Sequence, residues 1–118
     1  MTVFNERKTL PQWFASYAGQ SEKADELVIV DGGSSDGTWE YLEEMKNSVV
    51  GLKIILAEGN IAHGRNVAIA AAAHDMIVAT DAGCVYDREW LKNISAALNE
   101  KSWSATALPM PSVKRVSY

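Results

Sequence analysis

The sequence predicts an α/β fold with a mainly parallel sheet. Short apolar, β-branched runs alternate with stretches of helical periodicity, which is the pattern of βαβ units. The runs are apolar along their length, as strands covered on both faces are. Small and polar residues collect directly after each run: Phe4-Asn5-Glu6, Asp31 to Asp36, Glu58-Gly59-Asn60 and Asp81-Ala82-Gly83. Right-handed crossovers bring the carboxyl ends of such strands to one edge, and ligands of open α/β sheets bind there.

Taken in order, Thr2 to Phe4 reads as the tail of a first strand. Thr9 to Ala18 is helical, with Thr9 able to cap, Pro11 suited to the first turn and Gly19 as a stop. Leu27 to Val30 is a buried strand, and Thr38 to Asn47 is a helix with Trp39, Leu42 and Met45 on one face. Asp36 is a suitable N-cap for that helix, and Glu40 suits its positive end. Lys53 to Ala57 is a strand, His63 to His74 an alanine-rich helix, and Met76 to Thr80 a strand. Arg88 to Leu98 is a helix carrying Trp90, Leu91, Ile94 and Leu98 at helical spacing, with Asp87 as its natural cap. Ser104 to Tyr118 reads as a strand followed by a proline-broken, basic end.

The 118 residues amount to one domain with one core. Apolar residues at 47% and charged residues at 22% are an ordinary globular mix. A net charge of -4 argues against a nucleic-acid binder, which needs a basic face. No apolar run approaches the ~20 residues of a membrane span, and MTVFNERKTL has no signal-peptide core. The single cysteine, Cys84, excludes an internal disulfide and fits a reducing, cytoplasmic setting, the inner membrane face included.

Several familiar loops fail on specific residues. Gly32 and Gly37 have P-loop spacing, but Thr38 stands where the lysine belongs. A dinucleotide fingerprint needs a different glycine spacing, and a calcium loop opening at Asp31 would want glycine where Asp36 stands. What remains is a carboxylate that accepts hydrogen bonds from a base or a ribose. Asp31 is that residue, with Gly32 and Gly33 letting a ligand approach the backbone. Taken alone, the same residues also suit an ordinary strand-to-helix turn. A second aspartate after a second strand, Asp81, favours a ligand. Arg65 and Asn66, read into the first turn of the alanine-rich helix, add a diphosphate site at the same edge. His63, His74 and Cys84 read as structural, as do the tryptophans on apolar helix faces.

The segments IVDGGSSDGT, NIAHGRNVAI and VATDAGC, in this order and spacing, resemble the N-terminal half of family 2 glycosyltransferases over roughly Thr2 to Leu98. The resemblance implies the GT-A, or nucleotide-diphospho-sugar transferase, fold: a three-layer α/β/α arrangement, here truncated. Residues 1–118 would form a single nucleotide-sugar-binding domain that lacks the acceptor half. By the same resemblance Phe4 lies by the nucleotide base, Asn5 and Glu6 occupy the neighbouring loop, and Asp31 contacts the base. Arg65 and Asn66 occupy the family's A-R-N segment, near the base and diphosphate. Asp81 is the first aspartate of the D-x-D motif, which meets the ribose and the metal.

The implied cofactor is Mg²⁺ or Mn²⁺ held at Asp81, although the second aspartate is here Gly83. The implied partner is a UDP- or GDP-sugar. The first strand is very short for one that lies inside the sheet, so self-association or a partner chain could complete the sheet. The general base of an inverting member lies in the acceptor half. The expected function is therefore donor binding for transfer to an acceptor hydroxyl, incomplete for catalysis. The alternative is a non-catalytic nucleotide-sugar-binding module or a fragment. A pyrophosphorylase-like enzyme would want glycines between Phe4 and Lys8, and none are there.

Overall fold

The computed structural model describes residues 1–74, 76–101 and 113–115. Its elements follow in the order β1 (Thr2–Val3), α1 (Leu10–Ala18), β2 (Leu27–Asp31), α2 (Thr38–Lys46), β3 (Leu52–Leu56), α3 (Ile61–Ala71), β4 (Cys84–Tyr86), α4 (Trp90–Lys101) and β5 (Val113–Arg115). A parallel sheet runs β1-β2-β3, and an antiparallel pair joins β4 to β5. The parallel register sets Thr2 opposite Val30 and Val3 opposite Asp31, and it runs from Leu27–Leu52 to Asp31–Leu56 across the second pair. The central strand β2 is therefore apolar because it is covered: Ile29 and Val30 have no exposed surface.

Helix α1 turns Leu10, Trp13 and Phe14 into the core, where they meet Val3, Leu27, Ile29 and Leu52. Thr9 occupies the N-cap position but does not cap. Its hydroxyl donates instead to the Glu6 carbonyl (3.2 Å) and to the Glu6 carboxylate. Helix α2 buries Leu42, with Trp39 and Met45 packed on the same cluster as the periodicity predicts. Helix α4 buries Trp90, Leu91 and Ile94, and the Asp87 carboxylate accepts from the Glu89 N–H at 3.1 Å as a capping residue should. The side chain of Leu98 lies outside the described residues.

Gln20 holds α4 to α1, which nothing in the sequence pattern announces. This buried glutamine donates to the Asp87 carbonyl at 2.7 Å and accepts from the Leu91 N–H at 3.0 Å. It thereby satisfies one of the amide groups that a helix start leaves without an intrahelical partner.

Four expectations need correction. Helix α3 starts at Ile61, two residues before His63, because the Asn60 side chain accepts from the His63 N–H at 2.8 Å and caps the helix there. It ends at Ala71, short of His74. Met76 to Thr80 forms no strand: an apolar run cannot supply its own ladder partner. The segment is held instead by side chains, with Thr80 donating to the Tyr86 hydroxyl and accepting from the Trp13 indole at 3.5 Å. In consequence β1 lies at the edge of the described sheet and not inside it. Finally, the described strand near the C-terminus is Val113–Arg115, inside the stretch read as a basic end, where antiparallel pairing with Cys84–Tyr86 supplies its ladder. The strand expected from Ser104 lies outside the described residues.

Candidate functional site

The carboxyl ends of β1, β2 and β3 come together as expected. The Gly32 N–H donates to the Val3 carbonyl and the Ala57 N–H to the Asp31 carbonyl, both at 2.9 Å, so the strand ends stay in step. Gly33 has a φ of +103°, and a Cβ there would lie 3.1 Å from Cγ of Glu58, so this turn favours glycine both for its backbone and for its space. The Phe4 ring stands beside Gly32, 3.6 Å from where a Cβ would be, and is 58% exposed.

Asp31 is the centre of this edge, with no exposed surface. Its Oδ1 accepts from the Gly33 N–H (3.0 Å), the Ser34 N–H (2.9 Å) and the Ser34 hydroxyl (2.7 Å). Its Oδ2 is buried and has no hydrogen-bond partner among the described residues. One oxygen thus builds the turn, and the other stays unsatisfied, an arrangement that native proteins avoid unless the group has a further use.

The loop after β1 is fastened to the loop after β2. The Asn5 N–H donates to Ser34 Oγ at 2.7 Å, and Asn5 Oδ1 accepts from the Ser35 N–H at 2.9 Å. Asn5 adopts a positive φ of 51°, a conformation asparagine tolerates better than most residues. The Glu6 N–H donates to Thr38 Oγ1 at 3.0 Å and the Arg7 N–H to Asp36 Oδ2 at 3.2 Å, while the Arg7 guanidinium lies 4.2 Å from the Tyr41 ring centroid. Asn5 through its side-chain oxygen and Glu6 through its carboxylate, which accepts from the Thr9 hydroxyl, thus help to build the loop in which the sequence places them. Ser34, Asp36 and Thr38 carry the fastening. The only sequence signal for them was the general suitability of serine, aspartate and threonine for turns and caps.

Gly37 holds the N-cap position of α2, but Asp36 does the capping: its Oδ1 accepts from the Thr38 N–H at 3.1 Å and from the Thr38 hydroxyl. Burial is the largest single influence on this carboxyl and pushes its pKa up. Hydrogen bonds from the Thr38 hydroxyl, the Arg7 N–H and the Thr38 N–H together outweigh burial and hold it below the ordinary 3.8. A depressed pKa stabilises the fold above the unfolded value, and the contribution is lost as pH falls through the folded one. An Asp36→Ala variant should therefore unfold at lower urea than wild type at pH 7. The gap should narrow as pH drops below about 4. A gap independent of pH between 7 and 3 would show that the carboxylate's charge contributes nothing.

Asp81 is exposed and begins a tight turn, with its Oδ1 accepting from the Gly83 N–H at 2.8 Å and its carbonyl from the Cys84 N–H at 3.2 Å. Ala82 is buried in the same cluster as Val3 and Trp13, which anchors the turn to the core. Cys84 is buried, as expected for a small core residue.

Arg65 and Asn66 are exposed, and because α3 begins at Ile61 they lie in its second turn, not its first. The Met1 amine, lowered to about 6 by burial first and by the Arg65 charge second, places that charge towards the amino end of β1. Gly64 sets the height of α3: a Cβ there would fall 2.8 Å from Cγ2 of Thr2.

Among the described residues no group of three or more histidine, cysteine, aspartate or glutamate side chains is placed to hold a metal ion. Asp81 offers one carboxylate, and position 83 offers buried glycine backbone. A hard cation wants six or more oxygen ligands, so these residues do not by themselves fit a resident metal.

The Glycosyl transferase family 2 model matches residues 1–112. The chain belongs to this family. The match runs past Leu98, where the sequence resemblance stops, and takes in much of the tail. Among solved structures, TarS from S. aureus in complex with UDP is 27% identical with a TM-score of 0.72, over 86% of this chain and 31% of that one. Another TarS structure is 28% identical with a TM-score of 0.70, over 84% of this chain and 18% of that one. The mannosyltransferase PcManGT from Pyrobaculum calidifontis, in complex with GDP-Man and Mn2+, is 26% identical with a TM-score of 0.76, over 82% and 30%. The fold of this family 2 chain is thus that of the GT-A glycosyltransferases, and the chain spans less than a third of each solved relative's length. Comparison with curated proteins returned no match.

Proposed function

We propose that this chain binds the donor of a glycosyl transfer, a nucleoside diphosphate sugar carrying UDP or GDP, at the carboxyl edge of β1, β2 and β3. The observation that carries the reading is the buried, unpartnered Oδ2 of Asp31 beside an Oδ1 that already accepts three hydrogen bonds. An N–H of the base or a ribose hydroxyl is the donor that Oδ2 lacks. Asp31 has no exposed surface, so the nucleotide reaches it only as its cover shifts, and the exposed Phe4 ring flanks the entrance and offers a face to the base. In this reading Asp81 and Arg65 serve the ribose and the diphosphate. The UDP of one solved relative and the GDP-Man of another support this donor class.

In the full reaction an acceptor hydroxyl attacks the anomeric carbon, the bond to the diphosphate oxygen breaks, and the hydroxyl proton passes to a base. This chain supplies the donor site, and the base belongs to an acceptor half. A cation would enter with the diphosphate, and Asp81 would offer it one carboxylate among the described residues. No helix of the described residues is long and apolar enough to cross a membrane, and the cytoplasmic setting is part of the same proposal.

Calorimetric titration of UDP and GDP, with and without Mn²⁺, tests the reading. One nucleotide should bind wild type and bind Asp31→Asn at least tenfold more weakly, since a hydrogen bond to a charged group is worth ~1.5–3 kcal/mol. The asparagine keeps an acceptor for the turn and turns a donor towards the ligand. A folded wild type that binds neither nucleotide, or an Asp31→Asn variant that binds as tightly, would overturn it.

A further inference from the structure

We infer that Ser34 and Asn5 are positioning residues for Asp31, acting through its carboxylate and not by touching the nucleotide. The inference rests on the donor-site reading above and goes beyond it by assigning what aims the carboxylate. The Ser34 hydroxyl has one hydrogen to give. The Asn5 N–H, 2.7 Å away, occupies a lone pair on that oxygen, and the remaining hydrogen goes to Asp31 Oδ1 at 2.7 Å. A serine hydroxyl otherwise rotates to suit its surroundings. Here its direction is set by the backbone of a different loop. Asn5 is held in turn by its own side chain, which accepts from the Ser35 N–H at 2.9 Å.

The chain of bonds is thus closed: Ser35 fixes Asn5, Asn5 fixes the Ser34 hydroxyl, and the hydroxyl adds a third bond to Asp31 Oδ1. Linked hydrogen bonds of this kind strengthen one another. The consequence is rotational. With all three bonds on Oδ1, the carboxylate plane is fixed and Oδ2 is left as the only oxygen able to take a ligand. Without the hydroxyl, the Gly33 and Ser34 N–H groups still hold the turn, but the two oxygens become less distinct.

The test is a double-mutant cycle read by UDP and GDP titration, with urea unfolding of each variant as the control for folding. Ser34→Ala should weaken binding of whichever nucleotide wild type binds by about three- to tenfold. Ser34→Thr, which restores the hydroxyl, should bind within about twofold of wild type. In an Asp31→Asn background, Ser34→Ala should have no further effect, because the carboxylate it aims is gone. A general loosening of the loop would instead weaken both backgrounds alike. The inference falls if Ser34→Ala binds like wild type while Asp31→Asn does not, an outcome that leaves the donor site standing. It also falls if the serine and asparagine effects add independently. If Asp31→Asn itself binds like wild type, the donor-site reading fails, and this inference with it.

Discussion

Replacing Trp13 with alanine should destabilise the protein by about 3–5 kcal/mol, the range for removing a large buried aromatic. Trp13 is 2% exposed at the centre of the main core, edge-on to Phe14 at 5.2 Å and stacked on Tyr17 at 5.5 Å. Its position gives the loss a second consequence. The indole N–H donates to Thr80 Oγ1 at 3.5 Å, and the Thr80 hydroxyl meets the Tyr86 hydroxyl, which also accepts from the Asp81 N–H at 3.2 Å. Trp13 therefore backs the turn that carries Asp81. Domains of this size have only ~5–15 kcal/mol in total, so Trp13→Ala will be close to unfolding, and Trp13→Phe gives the second reading. The phenylalanine keeps much of the apolar volume and loses the N–H, so it should cost less while still raising hydrogen exchange at the Asp81 amide. Urea unfolding and amide exchange measure the two effects. A Trp13→Phe protein with wild-type exchange at Asp81 would show that packing alone holds the turn.

The sequence made the strand–helix alternation legible because buried strands and amphipathic helices leave periodic marks. Leu27–Asp31, Thr38–Lys46 and Leu10–Ala18 lie within a residue or so of where the pattern puts them. Asp31 was legible for a related reason: a charged residue at the end of an apolar strand has few explanations. Met76 to Thr80 failed because an apolar run brings no ladder partner with it, and Met76 and Ile77 stay exposed. The start of α3 was misplaced because Asn60 caps it from just outside the alanine-rich stretch on which the periodicity rests. The shift moved Arg65 and Asn66 from the first turn to the second. Gln20 and Ser34 were illegible for a deeper reason. Each bonds groups far away in the chain, Leu91 and Asn5 respectively, and such pairings follow from tertiary contacts and not from local spacing.

Thr38→Val should destabilise the fold by ~2–3 kcal/mol although it leaves the shape of the side chain almost unchanged. Thr38 has no exposed surface, and its hydroxyl accepts from the Glu6 N–H at 3.0 Å while donating to Asp36. Valine removes both bonds and leaves the Glu6 amide without its partner, and an unsatisfied polar group of this kind costs ~1–3 kcal/mol beyond the bond itself. Thr38→Ser keeps the hydroxyl and loses one methyl, so it should cost about 1 kcal/mol. The order, serine milder than valine, is the reverse of what packing alone predicts. Equal stability of Thr38→Val and wild type would mean that the hydroxyl does not hold the loop. The Glu6 amide reports the same event locally, and its hydrogen exchange should accelerate in Thr38→Val and stay slow in Thr38→Ser. Because Asn5, Glu6 and Arg7 are all fastened to the loop after β2, releasing Glu6 should also loosen Asn5 and the Ser34 hydroxyl it aims. Nucleotide affinity should then fall in Thr38→Val by more than in Thr38→Ser, although Thr38 itself touches no ligand. The bonds that stabilise this edge are the same ones that orient Asp31, so at this site stability and recognition should rise and fall together.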